Sequence, residues 1–207
     1  MSIQEIYNAV LAFDEATVKA KTQAELDAGT DISSILNDGL ISPMDEVGER
    51  FSAGDLFVPE MLVAAQAMKA GLKILKPHLA EGQGRSKGTV VIGTVKGDLH
   101  DIGKNLVSMM IEGAGFEVVD LGVDVDSETF VKTAAEKKAD VIALSALLTT
   151  TMPAMETTVR ALKEAGMTVK AIVGGAPVTH AFSEQIGADG YSADAPGAVK
   201  LIKELVA

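Results

Sequence analysis

Apolar residues along the first eighty positions recur at helical spacing. Ile3, Ile6, Tyr7, Val10, Leu11 and Phe13 fall near one face of a first helix. Asp31 suits the N-cap of a run carrying Ile32, Ile35 and Leu36. Met44, Val47, Gly48 and Phe51 continue the period, and Pro59, placed for a first turn, opens a long helical stretch ending at Pro77. The spacing predicts four helices, each too short to persist alone, packed as a bundle over residues 1–80.

Residues 81–88, EGQGRSKG, hold three glycines, a serine and mixed charge without an apolar side chain, the composition of a linker. From Thr89 the period changes. TVVIGTV, FEVVDLG, ADVIALSAL, TVKAIVGG and ADGYSA read as five strands, separated by amphipathic helical runs and followed by a last helix near GAVKLIKELV. Strand alternating with helix predicts a parallel sheet covered on both faces, with right-handed crossovers. Five such units over 89–207 predict a flavodoxin-like α/β domain of strand order 2-1-3-4-5, with ligands bound beyond the carboxyl ends of the strands.

Composition narrows the chemistry. The 207 residues contain no Cys, so a disulfide framework, a thiolate metal site and a cysteine nucleophile are excluded. Three histidines, at 78, 100 and 180, are all the imidazole there is. With 18 basic against 29 acidic residues and a net charge of −11, the chain is poorly suited to gripping nucleic acid. Its N-terminus lacks the pattern of a signal peptide, and its longest apolar run, around VIALSALL, is far short of a membrane span. A soluble, cytoplasmic protein is expected.

The unusual residues fall at the expected carboxyl ends of strands. Gly97-Asp98-Leu99-His100-Asp101-Ile102-Gly103-Lys104 follows the first, Ser145-Ala146-Leu147 ends the third, and Gly174-Gly175-Ala176 ends the fourth. An isolated loop histidine most often has no task, Ser145 alone reads as a core hydroxyl, and a glycine pair usually marks a turn. The spacing Asp98-x-His100 adds chemistry: a carboxylate can hold one imidazole nitrogen and leave the other as base or metal ligand. Zinc needs three or four protein ligands, which the neighbourhood does not offer. One imidazole suffices only for a metal that arrives with its other positions filled, as in a tetrapyrrole-type cofactor. A phosphate-binding loop is excluded, because five residues separate Gly97 from Gly103, Asn105 lacks the hydroxyl, and Asp98 and Asp101 would repel phosphate. No GxGxxG follows the first strand, which disfavours a nicotinamide cofactor.

Taken together, D-x-H-x-x-G, S-x-L after forty-one residues (104–144) and G-G after twenty-six more (148–173) resemble the cobalamin-binding fold shared by methionine synthase, adenosylcobalamin mutases and methyl-carrying corrinoid proteins. The run MDEVGERFSAGDLFVPEMLVAAQAMKAGLKILKP is similar to the helical cap domain preceding that fold in methionine synthase and in small corrinoid proteins, so the resemblance covers essentially the whole chain. It implies that His100 is the lower axial ligand to cobalt, displacing the cofactor's own benzimidazole, that Asp98 accepts the second N–H of His100, and that Ser145 completes a proton relay behind Asp98. It implies that Asp101, Ile102, Gly103 and Ala176 belong to the cofactor-binding blocks. The displaced nucleotide tail would pass Gly174 and Gly175, while Leu147, Thr149 and Thr150 would line its channel or the corrin rim. Phe57 from the cap would cover the ring, helped by Met61 and Leu62.

The function implied by this resemblance is that of a methyl-carrying shuttle subunit. A substrate-specific methyltransferase would methylate its Co(I) from a methylamine, betaine, methanol or an aryl methyl ether. A second, corrinoid:carrier methyltransferase would move the methyl from methyl-Co(III) to tetrahydrofolate or coenzyme M. A reductive activase would rescue oxidised cobalt, and the linker 81–88 would be the hinge on which the cap moves. Two alternatives remain open: the small subunit of an adenosylcobalamin mutase, which lacks such a cap, and a non-catalytic cobalamin sensor, which would need an effector part.

Overall fold

The structure, a computed structural model, describes residues 3–78 and 86–207. The described residues divide into an all-helical unit up to Ser86 and an α/β unit that comprises Lys87–Glu112 and Phe116–Ala207. Residues 79–85, and with them most of the expected linker, lie outside the described residues. Gly88, at the end of that expected linker, is already tied to the sheet, since its carbonyl accepts the Glu117 N–H at 3.0 Å.

In the helical unit, α1 (Ile3–Leu11) and α2 (Glu15–Asp27) are followed by α3 (Ile32–Ser34). From there the chain runs through a wide-turned π segment (Ile35–Ile41) directly into α4 (Ser42–Ser52), and α5 (Val58–Leu75) completes the set. Asp31 caps as its sequence position predicts, its carboxylate accepting the Ser34 N–H at 2.9 Å. Asp14 does the same for α2 through Thr17 N at 3.0 Å. Two departures from the sequence reading have physical causes. The run after Asp31 and the Met44–Phe51 pattern form one continuous helical path rather than two helices. Pro43 has no N–H, and its ring crowds the carbonyl four residues back; the widened turns are where the path absorbs it. The α2 segment carries few apolar residues, so its period is faint, and Val18 and Thr22 are what it buries.

Ile6, Val10, Val18, Leu40, Val47, Met68 and Leu75 are buried in this unit. Gly71 sets the closeness of α5 to its neighbours: a Cβ there would come within 2.6 Å of a Leu40 methyl and 3.0 Å of a Val18 methyl.

The α/β unit alternates β1 (Thr89–Thr94), α6 (Ile102–Gly113), β2 (Glu117–Asp120), α7 (Ser127–Lys137), β3 (Val141–Ser145), α8 (Met152–Glu164), β4 (Lys170–Gly174), α9 (His180–Ile186), β5 (Gly190–Ser192) and α10 (Ala195–Val206). All strand pairs are parallel and the order is β2-β1-β3-β4-β5, the flavodoxin-like order expected from the sequence. β1 and β3 are near-continuous apolar runs because helices cover both faces of the sheet. Val91, Phe130, Ile142, Leu144, Met155, Val159 and Val173 form the centre of its core. Asp126, Thr179 and Asp194 cap α7, α9 and α10 with their side chains. Thr94, Ser145, Gly174 and Ser192 pair in one row across four strands, so the special residues reach the sheet's carboxyl edge together.

Candidate functional site

The site is built where β1 leaves the sheet. Val95 stays attached, donating its N–H to Ser145 O at 3.0 Å and bridging to Val125. The chain then reverses at Gly97, whose φ of 84° is a left-handed value that glycine adopts without steric cost. Two groups hold this reversal. The Asp124 carboxylate accepts the Gly97 N–H at 2.8 Å and the Lys96 ammonium at 3.2 Å, and Asp124 N donates to Asp98 O at 3.0 Å. The turn thereby delivers the Asp98 side chain into the protein, where it is 0% exposed.

A buried carboxylate must be fully hydrogen-bonded to remain charged. Asp98 is. One oxygen accepts both the His100 backbone N–H, at 3.1 Å, and the His100 Nδ1–H, at 2.7 Å. The other accepts Leu147 N at 2.8 Å, Leu148 N at 3.2 Å and the Thr151 hydroxyl at 2.7 Å. Burial pushes the Asp98 carboxyl up, but the bonds from Thr151, His100 and Leu147 outweigh it and hold the group well below the usual carboxylate range. An ionised Asp98 can only accept, so Nδ1 of His100 carries a proton, and Nε2 is the nitrogen that offers a lone pair whenever the ring is neutral. The His100 ring is half exposed while its anchor is fully buried. Its own carbonyl accepts the Thr94 hydroxyl at 2.9 Å, which fixes the backbone as well as the ring. The result is one outward imidazole nitrogen on a rigid mount.

Around it lie apolar side chains left in the open. Leu99, Ile102, Leu147 and Leu148 are all exposed, Ile102 at 86%. Gly103 faces open space, with no heavy atom within 4 Å of where a Cβ would stand. Exposed apolar side chains on the segments that hold an available imidazole nitrogen suit a large, largely apolar ligand that carries a metal. No group of three or more His, Cys, Asp or Glu among the described residues could hold a bare metal ion.

Asp98, His100, Leu147 and Leu148 thus converge, the two leucines through their backbone N–H groups. Asp101 is half-buried beside them and accepts the Asn105 side-chain amide at 3.0 Å. Ser145 does not join the hydrogen bonds on Asp98: it is half-buried at the end of β3, and the group that reaches Asp98 from this side is Thr151. Thr149 and Thr150 are exposed. Sequence reasoning passed over Thr151, although a signal was present. It precedes Met152-Pro153 and occupies the N-cap position of α8, yet its side chain makes no cap bond to that helix. An N-cap threonine whose hydroxyl is used elsewhere is a positioned one.

Gly174 and Gly175 sit at the end of β4, with Ala176 exposed after them. Gly175 has φ 129°, and a Cβ on it would stand 1.8 Å from Ala146 O. The close approach that demands glycine here is between two strand ends of the protein itself. In the helical unit, Phe57 is 67% exposed at the start of α5, its N–H donating to Glu60 at 2.8 Å in half of a capping box. Leu62 is half-buried, whereas Met61 is buried at 1% and does not offer its side chain to the surface.

Comparison with known proteins finds matches to both units. A family model described as a B12 binding domain matches residues 88–200, and a second model of the same description matches residues 2–76. Dimethylamine corrinoid protein 1 of Methanosarcina acetivorans is 46% identical over 99% of this chain and 97% of its own length. Trimethylamine corrinoid protein 2 of the same organism is 44% identical over 99% and 96%. Among solved structures, a cobalamin-binding protein from Desulfitobacterium hafniense superimposes with a TM-score of 0.84 and 32% identity over the full length of both chains. A chain of the methanol:cobalamin methyltransferase complex from Methanosarcina barkeri gives a TM-score of 0.89 and 32% identity over 99% of this chain and 79% of its own. No helix among the described residues is long and apolar enough to cross a membrane. With matching models on both units and relatives above 40% identity along nearly its whole length, this chain belongs to the B12-binding corrinoid proteins of methyltransferase systems.

Proposed function

We propose that His100 Nε2 is the protein's ligand to the cobalt of a bound cobalamin, and that the chain carries methyl groups between a substrate methyltransferase and a second, acceptor-specific one. The observation that carries this reading is the Asp98–His100 pair: a buried, ionised carboxylate holding Nδ1 at 2.7 Å and leaving Nε2 available on a half-exposed ring. When bound, cobalamin supplies a cobalt that accepts a methyl group from one enzyme and yields it to another.

The chain's own residues orient and tune. Asp98 fixes the tautomer and strengthens the Nε2 donor, as an outer carboxylate does for any metal-bound histidine. Thr151 and the N–H groups of Leu147 and Leu148 keep Asp98 charged, so the basicity of Nε2 is set from behind the ring. Leu99, Ile102, Leu147 and Leu148 offer the apolar surface on which the ring would rest, and Gly103 leaves room beside it. Phe57 is the exposed aromatic of the helical unit suited to shielding a reactive face from water. The methyl donor of this reading is a methylamine, in keeping with the names of the relatives at 46% and 44% identity. The remaining partner is an ATP-dependent reductive activase.

The test is to reconstitute the protein with hydroxocobalamin, reduce it, and add mono-, di- or trimethylamine, methanol or betaine with the matching methyltransferase. Appearance of the methylated cofactor's absorbance with a methylamine supports the reading. In His100→Ala, corrinoid should still bind but with the spectrum of a cofactor lacking the imidazole ligand. An unchanged spectrum in that variant would rule out ligation by His100.

A further inference from the structure

One buried charged group plays no part in the site so far. Lys104, in the first turn of α6, has a side chain only 2% exposed. Its ammonium pairs with Asp120 at the end of β2 and donates to Asn105 Oδ1 at 2.7 Å. Taking an ammonium out of water is costly, and an apolar side chain of the same length would fill the space without that cost. Stability alone is therefore a weak reason for a lysine here. A directional bond is a better one.

The direction is legible in the bonds. Asn105 Nδ2 donates to Asp101 Oδ2 at 3.0 Å, and Asp101 directly follows His100. On the other side, Asp120 Oδ1 accepts Gly122 N at 2.8 Å, and Gly122 O accepts Thr94 N at 2.9 Å. Thr94 then closes the path through its hydroxyl to His100 O at 2.9 Å. Lys104 is the one cation in a closed circuit, Asp101–Asn105–Lys104–Asp120–Gly122–Thr94, that begins and ends at the His100 backbone. The circuit is separate from the Asp98 bonds, which hold the ring.

We propose that Lys104 is a positioning residue for the His100 turn, locking the start of α6 to the end of β2 so that the imidazole presents Nε2 in one orientation. For cobalt ligation this rests on the reading of His100 above; for the turn itself it stands on the circuit. Losing an outer partner of a metal-bound histidine commonly costs ~10–100-fold in affinity, and a residue one step further out belongs at the low end.

The test uses the full-length protein as Lys104→Met, Asp120→Asn and the double variant. In the corrinoid-free form, amide hydrogen exchange of Thr94 and Gly122, whose N–H groups belong to the circuit, should quicken about tenfold in Lys104→Met, with thermal unfolding and circular dichroism close to wild type. In the corrinoid-loaded, Co(II) form of protein labelled with 15N-histidine, the doublet nitrogen splitting in the electron paramagnetic resonance spectrum, distinct from the triplet of the cofactor's own benzimidazole, reports the fraction with His100 bound. The ratio of bound to unbound should fall about tenfold, and the double variant should be no worse than the worse single one. Unchanged exchange and unchanged splitting in Lys104→Met would overturn the proposal, as would single effects that simply add. If the wild type itself shows no such doublet, the His100 reading fails, and exchange in the corrinoid-free protein still decides whether Lys104 holds the turn.

Discussion

The mount for His100 depends on single hydrogen atoms. Thr151→Val keeps the shape of the side chain but removes one of the donors that Asp98 needs. An unmet hydrogen bond on a buried charged group costs about 1.5–3 kcal/mol, so urea unfolding should show a loss of that order, restored by Thr151→Ser. Ser145→Ala, whose hydroxyl does not touch Asp98, should change stability by less than about 1 kcal/mol. The same carboxylate sets an acid response. Because the folded group is held below its unfolded value of about 3.9, its contribution is fully present above that value. It is lost as pH falls toward the folded value. Stability should therefore decline with acid below about pH 4. In Asp98→Asn that slope should be shallower, whatever the absolute stability of the variant. These residue-level facts were half legible in the sequence. Asp98-x-His100 announced itself by spacing, but the hydroxyl behind it lies fifty-three positions away and could be assigned only once the chain had folded.

At the level of elements, strand ends do the positioning. The β3 and β4 termini approach so closely that Gly175→Ala would drive a methyl into Ala146 O at 1.8 Å, with φ 129° adding strain. Neither atom belongs to a flexible side-chain tip, so the strand end itself must move. A loss of more than about 3 kcal/mol by denaturant unfolding is expected, beyond the range of ordinary substitutions. In α5, Gly71→Ala meets the ends of Leu40 and Val18 side chains instead, which can shift, and alanine favours helix. Its cost should be smaller, about 1–2 kcal/mol. The helix joining Asp31 to Phe51 shows what local reading cannot supply. Two apolar patterns separated by a proline look like two helices, and only the packing of Leu36, Leu40, Ile41 and Val47 as buried side chains shows that the path continues through widened turns.

Each unit of the molecule has its own core, and each carries one of the two tyrosines, with no tryptophan to obscure them. Tyr7 donates to Glu46 within the helical unit, and Tyr191 lies on β5. Phe130 is fully buried against Gly93 in the α/β unit. Phe130→Ala should cost that unit about 3–5 kcal/mol. Followed by fluorescence in Tyr7→Phe and Tyr191→Phe backgrounds, the Tyr191 transition should shift to much lower denaturant and the Tyr7 transition by less. Equal shifts of both would mean that the units unfold as one.

The sequence by itself determined the parallel sheet and its order, and it singled out Asp98-x-His100 by spacing. Those follow from the period of apolar residues, which local geometry imposes, and from a short spacing that survives any folding. Only the tertiary structure decided which hydroxyl completes the Asp98 shell, why Gly175 must be glycine, and that Lys104 closes a circuit around the His100 turn. Each of these is a meeting of residues remote in the chain, brought together by the parallel register of strands that end in one row. Hydrophobic period encodes which elements form and which faces they bury. It carries no information about which polar atoms then stand within 3 Å of each other.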